Sequence, residues 1–214
     1  MFKTDLLIFD LDGTLADTKV DIAGAVNLTL KELGLPEKPD ALIYSYVGSG
    51  IRTLIRQAVG EEEGERFQGA MGAFRRHYLA HCLDTTKLYP GMDDVLAHFK
   101  SKKKAVVTNK AQLYTDKLMA GLKIADRFDL ILGGDNGYPL KPDPKMLLTV
   151  LEKLSADPKR AVMIGDGLHD INAARAAGIT VCAVGYGLGD PEELRRSGPD
   201  FFCETVEGLK KMFA

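Results

Sequence analysis

What the sequence is short of narrows the field first. Cysteine occurs three times in 214 residues, at Cys82, Cys182 and Cys203, odd in number and far apart. They form no C-x-x-C pair, so neither a zinc knuckle nor a disulfide framework is expected. No apolar run approaches the roughly 18 residues of a membrane span. The opening MFKTDLLIFDLDG has its apolar stretch broken by aspartates, unlike a secretory signal. Excess charge of either sign is also missing. The 28 Lys and Arg against 30 Asp and Glu give a net charge of −2, which argues against a general affinity for nucleic acid or an anionic membrane. There is no internal repeat and no low-complexity segment. A reducing cytoplasm is the location these absences lead one to expect. What remains is 45% hydrophobic and 27% charged, the mixture of a soluble globular protein with apolar surface enough for its own core. The one basic cluster, Lys100 with Lys102-Lys103-Lys104, is expected at a solvated helix end, where cations suit the C-terminal dipole.

Short β-like runs alternate with amphipathic helical stretches, the mark of an α/β fold with a parallel sheet. Expected strands are Leu6–Phe9, Ala105–Val107, Ala161–Ile164 and Thr180–Val184, with Leu130–Leu132 a weaker fifth. Each is apolar and brief, as strands covered by helices on both faces should be. Helical patterns at Met92–Phe99, Leu113–Leu122, Pro144–Leu154 and Leu168–Ala177 separate most of them. One interval breaks the rhythm. Between the first and second strands the pattern predicts only helices, at Val20–Leu33, Ala41–Tyr46, Ile51–Val59 and Glu62–Leu83. A single crossover needs about a dozen residues, so residues 18–87 are expected to form a small helical domain inserted into an α/β core made of residues 1–17 and 88–214.

Four motifs carry chemistry. Phe9-Asp10-Leu11-Asp12-Gly13-Thr14-Leu15 follows the first strand, and ligands in open α/β sheets gather at the carboxyl ends of strands. Asp10 and Asp12 are two apart, so an extended backbone aims both side chains alike. The bland alternative is a strand running into an Asp-Gly turn. Thr108-Asn109-Lys110 offers a hydroxyl and backbone N–H groups for a phosphate oxygen, or else simply caps the next helix. Leu140-Lys141-Pro142-Asp143-Pro144 holds a lysine, a good point-charge partner for phosphate, in what could equally be a surface loop. Gly165-Asp166-Gly167-Leu168-His169-Asp170 puts two carboxylates a helical turn apart, which could equally be helix capping. Together they assemble carboxylates, a hydroxyl and a lysine along one sheet edge. Such a set makes an oxygen site for a hard cation beside a phosphate clamp.

With these four motifs in order, the sequence resembles the haloacid dehalogenase superfamily of phosphatases. Within it, Tyr89-Pro90-Gly91, Thr108-Asn109-Lys110, Val47-Gly48-Ser49-Gly50 and Gly185-Tyr186-Gly187 resemble a phosphoglycolate phosphatase-like subgroup. The resemblance implies a Rossmann-like parallel sheet with a helical cap, and a nucleophile at Asp10 that becomes phosphorylated. It implies Asp12 as acid and base, and Mg²⁺ held by Asp10, Asp166 and the backbone carbonyl of Asp12. Thr108, Asn109 and Lys141 would then clamp the phosphoryl oxygens, with Asp170 orienting Lys141 from behind. Asp12 and Asp166 together weigh against a dehalogenase, and no cap lysine recommends a phosphonate hydrolase.

Specificity is expected in the inserted helices, with Gly48 and Arg52 as candidate substrate contacts; Arg52 could fork onto a carboxylate or be an exposed helix residue. His77 and His81, four apart, are expected to be ordinary helix residues for want of a third ligand. Gly185-Tyr186-Gly187-Leu188-Gly189 lacks dinucleotide spacing and is expected to be a loop. The expected partner is a small phosphorylated metabolite, 2-phosphoglycolate first, acting on a monomer or homodimer. A β-phosphoglucomutase-like isomerase, a pyrophosphatase of the same subgroup, and a non-catalytic phospho-binding module remain alternatives.

Overall fold

A computed structural model describes residues 1–61 and 63–214. Strand β1 (Leu6–Phe9) leads to a two-residue strand β2 (Ala16–Asp17) and four helices, α1 (Lys19–Glu32), α2 (Asp40–Tyr44), α3 (Ile51–Val59) and α4 (Glu65–His81). The chain returns through β3 (Lys87–Leu88), which pairs antiparallel with β2. Then come α5 (Met92–His98), β4 (Lys103–Ala111), α6 (Gln112–Gly121), β5 (Leu130–Gly134) and α7 (Lys145–Lys153). The chain closes with β6 (Ala161–Gly165), α8 (Leu168–Ala177), β7 (Thr180–Val184), α9 (Pro191–Arg196), β8 (Phe201–Cys203) and α10 (Leu209–Met212). Among the described residues no helix is long and apolar enough to cross a membrane.

The main sheet has the order β5-β4-β1-β6-β7-β8, and every pairing in it is parallel. Alternation along the strands sorts the core onto two faces, because successive side chains point oppositely. Leu7, Phe9, Val106, Val162 and Ile164 join one apolar cluster, with Met92 and Val95 of α5 and Leu118 of α6. Leu6, Ile8, Val107, Ala161 and Met163 join the other, with Leu147 and Val150 of α7 and Ile171 of α8. The first cluster does not stop at the sheet. It runs on through Ile22 and Val26 of α1, Ile55 of α3 and Phe74 of α4, so the inserted helices share apolar core with the sheet.

Several expectations need correcting. The strand expected at Ala105–Val107 extends to Lys103–Ala111, with its pairing to β5 irregular between Val107 and Ala111. Thr108 and Asn109 therefore lie in a strand and do not cap α6, whose N-cap is Ala111. The lysine run is not a solvated helix end. α5 stops at His98, Lys103 and Lys104 open β4, and Lys104 is buried with its Nζ donating to the carbonyls of Phe99 and Lys102. The cation still meets the carbonyl end of a helix, but from inside the protein. Strand β8 went unread, being three residues long behind a Gly-Pro. The expected start of the fourth helix, Glu62, lies outside the described residues; the helix itself begins at Glu65.

The two crossings between sheet and inserted helices lie side by side. Buried Asp21, in the first turn of α1, accepts bonds from the backbone N–H of Thr85 at 3.0 Å and of Thr86 at 2.9 Å, and from the Thr85 hydroxyl at 2.6 Å. These bonds outweigh the burial that opposes its charge and hold its carboxyl below the usual range. Asp21 thus fastens the outgoing and returning chain together where β2 meets β3.

Candidate active site

Asp10 follows β1 directly and Asp166 follows β6 directly, and β1 is flanked by β4 and β6. Parallel strands end on one edge, so these carboxylates and Thr108 of β4 converge there. Asp10, Asp166 and Asp170 each offer an oxygen within 4.8 Å of the others, and all three are buried. Lys141, from the loop between β5 and α7, reaches into them with 3% of its surface exposed. Its Nζ lies 2.6 Å from Asp170 Oδ1 and 3.1 Å from Asp10 Oδ1, and donates to the Val107 carbonyl at 2.7 Å.

One cation among three buried carboxylates does not balance the charge. Burial, aided by Asp170 and Asp12, pushes the Asp10 carboxyl up to about 6 against the pull of Lys141. Burial, aided by Asp10 and Asp170, pushes Asp166 up to about 7. Lys141 answers in the opposite sense: burial would lower it, yet Asp10 and Asp170 hold its ammonium above the usual range. An all-oxygen set short of positive charge fits a hard divalent cation such as Mg²⁺.

The backbone makes room for these groups. A Cβ on Gly13, whose φ is +78°, would stand 2.0 Å from Asp166 Oδ2, and one on Gly187 would stand 2.3 Å from the Asp166 Cβ. Asp166 is oriented by the Thr14 hydroxyl at 2.9 Å and the Leu188 N–H at 2.8 Å. The segment expected to be a plain loop, Gly185 to Gly189, is thus the wall that fixes Asp166. Asp170 serves twice, accepting from the Gly167 N–H at 3.0 Å and from Lys141; capping and orientation coexist. Asn109 also binds two ways. It accepts from the Lys141 N–H at 2.7 Å, and donates to the carbonyls of Lys141 and Gly48, both at 2.9 Å.

Asp12 is not one of these three carboxylates and has partners of its own. Its carboxylate takes the Thr18 hydroxyl at 2.6 Å and Lys110 Nζ at 2.9 Å to both oxygens. The Lys110 ammonium also sits 4.7 Å from the centre of the Tyr78 ring of α4. Asp10, Asp12, Thr108 and Lys110 form the polar floor of a cavity of about 50 Å³, walled by Val47, Ile51, Leu54, Phe74, Tyr78 and Tyr114. The aromatic part of the wall ties α4 to α6: Phe74 and Tyr78 stack at 5.3 Å, and Tyr114 meets Tyr78 edge-on at 5.1 Å. A wider groove of about 480 Å³, reaching Asp166 and His169, adjoins this cavity and shares Asp10, Asp12, Val47 and Gly48 with it.

Of the two insertion residues expected to contact substrate, the structure brings only Gly48 to the cavity. Arg52 is exposed and lies over the Phe67 ring, 5.0 Å from its centre. His77 and His81 pair with Glu32 and Asp84 on the surface. Four residues with clear places here were given none on sequence grounds: Lys110, Thr18, Tyr78 and His169. Ser49 of the insertion and His169 of α8 bond at 2.9 Å, and burial lowers the His169 pKa, with Lys141 adding to it. Lys110 had a signal, since it directly follows Thr108-Asn109. The others depend on where α1, α4 and α8 come to lie.

A model of the haloacid dehalogenase-like hydrolase family matches residues 7–184. A phosphoglycolate phosphatase from Nitrosospira multiformis is 37% identical over 213 residues, covering 96% of this chain and 94% of that protein. One from Aquifex aeolicus is also 37% identical, covering 97% and 95%. In three dimensions the chain resembles a predicted phosphoglycolate phosphatase from Haemophilus somnus, with a TM-score of 0.92, 28% identity, and coverage of 98% and 97%.

Proposed function

Because this chain belongs to the haloacid dehalogenase-like hydrolase family, we propose that it is a Mg²⁺-dependent phosphatase acting on a small phosphomonoester, 2-phosphoglycolate. The observation that carries this is the division of labour between two carboxylates two residues apart. Asp10 is turned into the charged cluster with Lys141, while Asp12 is held toward the cap-side cavity by Thr18 and Lys110.

Asp10 is the nucleophile. A carboxylate oxygen forms a bond to phosphorus as the bond from phosphorus to the leaving oxygen breaks. Asp12 gives that oxygen its proton, then takes one from the water that attacks the aspartyl phosphate; inorganic phosphate leaves and Asp10 is restored. Lys141, Thr108 and the backbone at Asn109 stabilise charge spread over the phosphoryl oxygens. Mg²⁺, held by Asp10, Asp166 and the Asp12 carbonyl, would supply the positive charge that Lys141 alone does not. Asp170 acts through Lys141, fixing its ammonium at 2.6 Å.

Substrate size follows from the two spaces. The phosphoryl group belongs among the charged residues and the leaving group beside Asp12. The apolar-walled cavity of about 50 Å³ there, a few times the ~10–15 Å³ that one water needs, has room for a two-carbon acid. The wider groove that Asp12 also lines has room for a larger leaving group, so the substrate assay decides between them. Phosphate release should be measured with and without Mg²⁺ on 2-phosphoglycolate, pyrophosphate and sugar phosphates, with Asp10→Asn as control. Mg²⁺-dependent turnover of 2-phosphoglycolate, lost in Asp10→Asn by at least ~10³-fold, is expected. Retained activity in Asp10→Asn would refute the scheme, and preference for pyrophosphate or a hexose phosphate would refute the substrate.

A further inference from the structure

The cavity beside Asp12 has apolar walls and, among its described lining residues, one cationic side chain, Lys110. Arg52, the basic residue of the inserted helices expected to meet substrate, lies over Phe67 and does not line the cavity. Lys110 is deeply placed, its side chain 5% exposed and its partner Asp12 11% exposed. An ammonium has three donors, and among the described residues its only acceptors are the two oxygens of Asp12. The remaining face rests on the π-cloud of Tyr78 at 4.7 Å, which steadies a cation without bonding it in place. Lys110 lies in the stretch of β4 where the pairing to β5 is irregular, between Val107 and Ala111, and its side chain lines the cavity.

We propose that Lys110 selects the substrate: its ammonium recognises a second anionic group, a carboxylate on the carbon that bears the phosphate ester. This rests on the phosphatase function above and assigns the charge that reads the leaving group. In the free enzyme Lys110 pairs with Asp12, the carboxylate that must serve the leaving oxygen. A carboxylate arriving in the cavity gives the ammonium a competing partner and releases Asp12 from it. A neutral leaving group of the same size offers no such exchange, so Asp12 stays tied to Lys110. Selection therefore does not come from shape alone. The apolar walls exclude bulk water, which makes an unpaired lysine there costly and the exchange between two anions the favoured route.

The comparison that isolates this is 2-phosphoglycolate against 2-hydroxyethyl phosphate, which replaces the carboxylate by a hydroxymethyl group at nearly equal size. The native enzyme should favour 2-phosphoglycolate in kcat/KM by about 100-fold, the scale of a buried charge pair. Lys110→Met should collapse that ratio to within about threefold, chiefly through loss on the acid, while Arg52→Ala leaves the ratio unchanged. Equal losses on both substrates in Lys110→Met would overturn the proposal and make Lys110 a positioning residue for Asp12. The native enzyme alone also decides, should the variant fail to fold: equal turnover of the two substrates would overturn the proposal. Absence of turnover on every phosphomonoester, with Mg²⁺ and folded protein, would instead sink the phosphatase function itself.

Discussion

At the scale of single residues, the site is governed by how much negative charge is buried against how little positive. Asp166 shows this most plainly. Its folded carboxyl titrates near 7, raised from 3.8 by burial and by Asp10 and Asp170. A group raised in this way is more willing to hold its proton folded than unfolded. Metal-free protein therefore gains stability as pH falls from about 8 through 7 towards 4, and loses it as the carboxylate is forced to ionise. Thermal melts in EDTA should give a higher Tm at pH 6 than at pH 8. Asp166→Asn should shrink that difference, and Mg²⁺ should reverse it in the native protein by favouring the ionised form. An unchanged pH slope in Asp166→Asn would mean that its burial is relieved in solution. Asp10 and Asp166 were legible in the sequence because each directly follows an apolar strand, with Asp12 and Asp170 read from their spacing to them. Lys110 was visible as a residue but not as a participant, since its contacts with Asp12 and Tyr78 join residues far apart in the chain.

At the scale of elements, the glycines of the last motifs set how closely two loops approach. Gly187 has Asp166 and the Gly13 carbonyl where its Cβ would be, and the next residue donates to Asp166 Oδ2. Gly187→Ala must push the loop away and break that bond. We expect Mg²⁺ affinity, measured by isothermal titration calorimetry, to fall by about 10–100-fold, the usual cost of losing an orienting partner of a metal ligand. Affinity within twofold of native would show that Asp166 is held well enough by Thr14 alone. Sequence pattern found the strands with continuous apolar runs and the helices with clear periodicity. It missed β2, β3 and β8, too short to show alternation, and cut β4 at Val107, because Thr108-Asn109-Lys110 is polar although the strand continues to Ala111.

At the scale of the whole molecule, the inserted helices are held over the sheet by shared apolar core and by a few polar ties. Ser49 to His169 is one and Asn109 to the Gly48 carbonyl is another. If the first tie helps close the site, Ser49→Ala and His169→Ala should each raise KM severalfold, a loss of about 1 kcal/mol. Their double mutant should be no worse than either alone. Strictly additive effects on KM would show that the two residues act separately. The four helices between β1 and β4 were legible as a break in the strand–helix rhythm. Its placement was not, because contacts such as Tyr78 with Tyr114 join residues whose proximity no local pattern encodes.

The order of the strands has a consequence for how the chain is made. β1, which Asp10 directly follows, lies in the middle of the sheet, paired to β4 at Leu6 with Lys103 and to β6 at Leu6 with Ala161. About a hundred residues separate it from β4 and about 150 from β6, so its two neighbours leave the ribosome well after it does. At roughly 5–20 residues per second, that strand waits on the order of ten seconds before its second edge can be covered. Throughout that interval Leu-Leu-Ile-Phe is an apolar strand with at least one open edge, and Asp5 and Asp10 at its two ends are charges of the kind that discourage pairing with another chain.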